Sequence, residues 1–244
     1  MTAEEDDRRQ VIAENVERVR ARVDRACAAV GRPPEDVTLV AVTKTFPVSD
    51  VVHLAALGLC AMGENRDGEA AAKAAQASDA GLDHLEWHFV GQVQRNKAAS
   101  VAAYADVVHS VDRLPLVTAL DAAAGRVGRR LVGLVQVDLR EPVGEDGRGG
   151  AAPDQVAALA AAVEAAEHLV LGGVMAVAPL GDDPSTAVRA FSRLAEMSQR
   201  LRADHPGATI VSAGMSGDLE AAIESGATHL RVGTALLGSR PPLG

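Results

Sequence analysis

With 244 residues, 48% hydrophobic and only 2% aromatic, the chain is long enough for one large domain whose core is built from Ala, Val and Leu rather than rings. A formal net charge of −9 repels polyanions, which argues against nucleic acid or an anionic membrane as partner, and two cysteines cannot supply a disulfide framework. The opening MTAEEDDRRQ lacks the basic and apolar regions of a secretory signal and no run approaches the roughly 18 apolar residues of a span, so the expected compartment is cytoplasmic.

From Arg8 to Val30, the residues Val11, Ile12, Val16, Val19 and Val23 recur at near-helical spacing among Glu and Arg, and the pattern stops at Gly31 before Pro33 and Pro34. This predicts one amphipathic helix with a solvated outer face. Eight short β-rich runs follow, at 37–43, 59–63, 86–91, 106–111, 131–139, 169–177, 209–214 and 229–238. Helical stretches begin between them near Val48, Asn65, Gln92, Arg113, Pro153, Pro184 and Ser216, each long enough to cross back over a parallel sheet. Cys27 falls in the first helix and Cys60 in the second strand, and both read as buried thiols.

Strict alternation of this kind predicts an α/β fold, a (β/α)8 TIM barrel forming a single domain over 1–244, with the helix within 1–31 packed on it and an interior of small and branched aliphatic layers. An open doubly wound sheet is the competitor. Its glycine fingerprint is missing, because GEDGRGGAA at 144–152 does not lead from a short strand into a helix and reads as a surface loop.

In such a barrel, function gathers where strands end. Alternation along the first strand puts Val40, Val42 and Lys44 on one side and Leu39, Ala41 and Thr43 on the other, so Lys44 is placed to point along the barrel axis. Confinement there favours the neutral amine, the form that attacks an aldehyde to make an imine, whereas the plain alternative is a surface lysine. After the seventh run, Ser212-Ala213-Gly214-Met215-Ser216-Gly217-Asp218 offers backbone amides to a phosphate, and the eighth adds Gly233 and Thr234. The alternative is a helix capped by Ser216. Arg231 lies deeper on the same strand and needs an acceptor, either a carboxylate such as Asp138 or an aromatic ring nitrogen. His84 and His88 sit at a strand entry without accompanying ligands, so no metal is expected.

These segments, AVTKTFP, GENRDGEAAAK, WHFVGQVQRNK, VHSVDRL, GGVMAVAP and SAGMSGDLEAAIESGATHLRVGTALLGSR, resemble the pyridoxal phosphate homeostasis proteins, which are related to the amino-terminal barrel of alanine racemase. The likeness covers about 37 to 240. It implies a fold-type III barrel binding pyridoxal 5'-phosphate (PLP), with Lys44 as the imine lysine, Ser212, Met215, Ser216, Gly217, Gly233 and Thr234 around the phosphate, Arg231 facing the pyridine nitrogen and Asn65 beside the ring. Phe46, where many relatives carry a polar or basic residue, and EDGRGG, in place of a lysine-containing turn, depart from the pattern.

The function so implied is non-enzymatic binding and homeostasis of PLP, with PLP-dependent apo-enzymes as recipients and a monomer as the expected state. The alternative is an amino-acid racemase, which needs a second acid-base group. Tyr104, the only tyrosine, falls in a helix away from the strand ends. A third reading, a Schiff-base aldolase, needs only Lys44 and the phosphate cup.

Overall fold

The computed structural model describes residues 3–140, 149–179 and 184–239. Eight parallel strands, β1 (Thr38–Val42), β2 (Ala61–Glu64), β3 (Glu86–Phe89), β4 (Val107–Val111), β5 (Leu131–Gln136), β6 (Leu169–Met175), β7 (Ile210–Ser212) and β8 (His229–Val232), close into a barrel in sequence order. Closure is carried by β1 against β8, with Val40 opposite Arg231 and Ala41 opposite Val232. The helices α1 (Ala3–Ala29), α2 (Val48–Ala56), α3 (Asp67–Asp79), α4 (Ala98–Tyr104), α5 (Leu114–Arg126), α6 (Val156–Glu164), α7 (Pro184–Asp204), α8 (Leu219–Glu224) and α9 (Thr234–Leu237) complete the alternation.

Most buried apolar side chains lie in one layer between strands and helices, including Ala41, Met62, Trp87, Phe89, Val108, Leu131, Val174, Val211 and Leu230. A second, small cluster of Val107, Leu134 and Met175, flanked by Val132 and Ile210, fills part of the barrel's inside. The expected aliphatic layers are therefore incomplete, for His88, His109, Ser212 and Arg231 are buried in the same interior. Polar groups survive there because each finds a hydrogen-bond partner.

The first helix packs across α2, α8 and α9. Arg8 bonds the buried Asp50 carboxylate at 2.5 and 3.0 Å and the Leu237 carbonyl at 3.1 Å, and Asn15 donates to the Leu236 carbonyl at 2.8 Å. Arg22 bridges to Glu220 at 2.8 Å and donates to the Ser216 carbonyl at 3.0 Å. These contacts tie α8 and α9, and the loops before them, to one rigid rod. Gly173 permits the β6–β7 contact: its φ is 143° and a Cβ there would lie 2.0 Å from the Ile210 carbonyl oxygen.

Several expected boundaries move. The eighth run is a strand only to Val232, and Thr234–Leu237 turns into α9, because apolar residues after Gly233 suit a short helix as well as a strand. The helix after β7 starts at Leu219 rather than near Ser216, and after β3 a single turn at Arg95–Lys97 precedes α4. Cys27 is buried in α1, but Cys60 lies just ahead of β2 and is exposed, since pairing with β1 starts only at Ala61. The expected surface loop at 144–152 lies largely outside the described residues; of its end, Ala151 bridges to Val137. No helix among the described residues is long and apolar enough to cross a membrane.

Candidate functional site

A cavity of about 340 Å³ opens at the carboxyl end of the barrel, within the usual size of a small-ligand pocket. Val42, Lys44, Phe46, Asn65, Val90, Val177, Met215, Ser216, Gly217, Arg231, Gly233 and Thr234 line it. Eight of the nine residues expected from the sequence thus meet in one place. The ninth, Ser212, is fully buried beneath the cavity, where its hydroxyl accepts from Arg231 at 2.6 Å and meets His109 at 3.0 Å. It supports the floor and does not line the cavity, because it ends β7 while Met215, Ser216 and Gly217 come from the loop that follows.

Lysines occur at 44, 73 and 97 only. Lys97 is exposed and pairs with Asp67 at 3.6 Å, while Lys73 is buried in an ion cluster. Lys44 is the one amine of the three that reaches the cavity, and it does so because β1 ends at Val42 and the next residues form a tight turn. Thr45 in that turn has φ of 69°, a left-handed conformation that is costly for a β-branched residue.

A buried cluster on the outer face of the strand ends holds this turn. Lys73 Nζ donates to the Thr43 carbonyl at 2.8 Å, to Glu64 at 2.5 Å and to Glu69 at 3.2 Å; the Thr43 hydroxyl donates to Glu64 at 2.7 Å, and the Thr45 amide donates to Glu69. Burial raises the Glu64 carboxyl above its ordinary range, with Lys73 and Thr43 opposing that shift. The motif GENRDGEAAAK is thereby explained: its two glutamates and terminal lysine grip the turn that carries Lys44.

Opposite Lys44, the loop Met215–Asp218 is closed by the Asp218 amide donating to Met215 O at 3.3 Å and by the Met215 amide donating to the Asp218 carboxylate at 2.6 Å. Among the described residues this leaves the amides of Ser216 and Gly217 uncommitted. Ser216 caps no helix; its hydroxyl accepts from the Ala235 amide at 3.2 Å, joining the seventh loop to α9. A Cβ at Gly217 would meet nothing within 4 Å, so the backbone there is open to a ligand. Uncommitted main-chain donors beside small residues are an arrangement that suits an anion.

Arg231 is 5% exposed and donates to Ser212 Oγ and, at 2.8 Å, to the Ala176 carbonyl. Asp138 is not its partner, for that carboxylate is gripped by Arg140 at 2.7 Å. Burial lowers the guanidinium to about 10, with Asp218 opposing, so it stays cationic at neutral pH while its acceptors are neutral. A guanidinium carries five N–H donors, and Arg231 lines the cavity with more of them than its two named bonds use. Asn65 lines the same cavity with a buried Oδ1 that has no partner. Its close approach is possible because Gly91 lacks a Cβ, which would sit 2.5 Å from the Asn65 carbonyl oxygen.

Sequence reading missed the apolar walls Val42, Val90 and Val177, and it treated Phe46 only as a departure. Phe46 is buried at the cavity edge with the Arg8 guanidinium 5.6 Å from its ring centroid, so α1 reaches the site through it. His84 remains in an exposed loop while His88 turns inside the barrel.

The profile of the family described as "Alanine racemase, N-terminal domain" matches residues 10–241. The pyridoxal phosphate homeostasis protein of Mycobacterium bovis is 42% identical over 96% of this chain and 95% of its own length. This chain belongs to the pyridoxal phosphate homeostasis protein family. A Pseudomonas aeruginosa member is 40% identical over 94% of this chain and 96% of its own. The solved structure of PipY from Synechococcus elongatus, with PLP bound, superposes with a TM-score of 0.80 at 33% identity, covering 93% of this chain and 100% of PipY.

The buried histidines make the family barrel acid-sensitive. Burial drives His109 well below its ordinary value, helped by His88 and Arg231, and lowers His229 to about 4 from 6.5. Both folded-state values are depressed, so below pH 6.5 the unfolded chain binds more protons and stability is lost as pH falls toward 4. His229 alone contributes about 3 kcal/mol across that window. Denaturant unfolding at pH 7, 6, 5 and 4 should show this decline, partly flattened in His229→Asn; equal stability at all four pH values would contradict it.

Proposed function

We propose that this chain binds PLP in the cavity, as a Schiff base on Lys44, and that it stores and delivers the cofactor rather than catalysing turnover. The residues fit the group. Among the described residues Lys44 supplies the one amine lining the cavity, the Ser216 and Gly217 amides with Gly233 and Thr234 would meet the phosphate, and Arg231 would donate to the pyridine nitrogen. Asn65 lies beside the ring, its side-chain amide offering both a donor and an acceptor. When bound, PLP would supply an aldehyde for reversible imine formation and a ring able to delocalise charge.

The observation that carries the non-enzymatic reading is the set of titratable groups. Among the described residues lining the cavity these are Lys44 and Arg231. A racemase requires a second acid-base residue across the ring from the lysine. Tyr104 does not serve: it ends α4, lines a separate groove between α3 and α4, and burial raises its hydroxyl far above the ordinary value. An arginine at the ring nitrogen also leaves that nitrogen unprotonated, which weakens the ring as an electron sink.

The test begins with apo-protein incubated with PLP, recorded for a visible imine band, then mixed with a PLP-dependent apo-enzyme whose activity reports transfer. The expected result is a yellow protein that restores the apo-enzyme and leaves the optical rotation of L-alanine unchanged. Loss of that rotation with multiple turnovers would establish the racemase instead, and a colourless protein would favour the aldolase-type reading.

A further inference from the structure

A line of polar side chains runs through the barrel from the cavity floor to the opposite mouth. Arg231 donates to Ser212 Oγ at 2.6 Å; Ser212 Oγ and His109 Nδ1 are 3.0 Å apart; His109 Nε2 and His88 Nδ1 are 2.9 Å apart; and His88 Nε2 lies 3.0 Å from Glu86 Oε2. Ser212, His109 and His88 are all within 1% of complete burial. The Glu86 side chain is half exposed and opens on a cleft at the amino-terminal end of the strands.

The two ends fix the direction of every bond between them. Arginine only donates and a carboxylate only accepts. With Arg231 donating into Ser212 Oγ, the serine proton goes to His109 Nδ1, the His109 Nε2 proton to His88 Nδ1, and the His88 Nε2 proton to Glu86. Each group then has one donor bond and one acceptor bond along the line. Reversing the middle would load Ser212 Oγ with two donors, leave its own proton without an acceptor and place two protons on His88. Bonds aligned head to tail polarise one another, so a change at one end is felt at the other.

We propose that Glu86, His88, His109 and Ser212 are positioning residues forming a one-directional hydrogen-bond relay, which orients Arg231 toward the cofactor's ring nitrogen and transmits the charge of Glu86 to it. The proposal rests on the reading that PLP occupies the cavity. Facing Glu86 are His88 on its own strand and His229 on β8, with Arg20 and Asp24 of α1 and Glu35 across the cleft. Its hydrogen bond to His88 keeps the Glu86 carboxyl below the ordinary range, opposed by burial, so the accepting end of the relay is charged at neutral pH.

Two measurements test it. On ligand-free protein, nitrogen-15 spectra of the histidine rings should show His109 and His88 as neutral Nε2–H tautomers; a proton on His109 Nδ1 overturns the direction whether or not PLP binds. On PLP-loaded protein, Ser212→Ala should weaken PLP binding roughly ten-fold through loss of the charged hydrogen bond, and Ser212→Thr should restore it. Glu86→Gln, at a half-exposed position that tolerates the change, should shift the pH midpoint of the visible band by about half a unit or more. A purely structural chain would lower melting temperatures and leave band position, midpoint and affinity at wild-type values, and that outcome overturns the proposal. Failure of the protein to bind PLP at all would instead sink the functional reading, leaving the tautomer result to stand alone.

Discussion

Lys44→Ala is expected to abolish the visible imine band and all hydride-trappable label while leaving the barrel folded. The side chain belongs to neither apolar cluster; it stands half-buried at a cavity wall, where truncation leaves no void in the packed layers. Its effect on stability should therefore stay within about 1 kcal/mol, whereas the covalent capture proposed for it has no substitute. Lys73 and Lys97 cannot replace it, the first locked against Glu64 and the second on the outside against Asp67. Weak PLP binding should persist through the main-chain donors and Arg231. Absorption spectra, circular dichroism and equilibrium dialysis separate these effects. A variant that stays yellow would place the imine elsewhere.

Lys73→Met should be the most destabilising single change in the region. It removes the cation from a site where Lys73 is 5% and Glu64 1% exposed, and where Glu64 Oε2 already lacks a partner. Breaking a buried pair from one side costs about 3 to 5 kcal/mol, because the remaining charge is stranded. The same deletion frees the Thr43 carbonyl and loosens Glu69, which holds the Thr45 amide, so the turn carrying Lys44 should slacken and imine yield should fall. Pairing the change with Glu64→Gln removes the stranded charge and should recover part of the lost stability, a non-additivity that a double-mutant cycle reads directly. Additive losses would show that the two residues do not act as a pair.

Much of this architecture can be read from the chain. Periodicity switching between short β-rich runs and longer helical ones announces eight strand-helix units; alternation from Val40 and Val42 points Lys44 toward the mouth, which it lines from the turn after β1. The meeting of Met215, Ser216, Gly217, Gly233 and Thr234 at one cavity is legible because small residues after the seventh and eighth strands fall at the barrel's carboxyl mouth. Ser212 is expected beside the phosphate, but alternation alone does not say where β7 stops: it is the strand's last residue and its side chain lies at the cavity floor.

The polar interior was legible in principle. Trp87-His88-Phe89, Val108-His109-Ser110 and Leu230-Arg231-Val232 each set a polar residue between neighbours that face the helices or crowd the barrel, the signature of an inward-pointing group. The partners of those groups were not legible, because they come from strands distant in sequence. The same holds for Thr43, Glu64, Glu69 and Lys73, whose meeting depends on how α3 lies over the ends of β1 and β2. Contacts of that kind depend on register and helix placement, which a single sequence does not display.

The central claim is covalent and can be located on one residue. PLP-loaded protein reduced with borohydride, digested and analysed by tandem mass spectrometry should carry a single phosphopyridoxyl group on the peptide containing Lys44. A label on Lys73, on Lys97 or on the chain's first amine, or no label at all, would contradict the account.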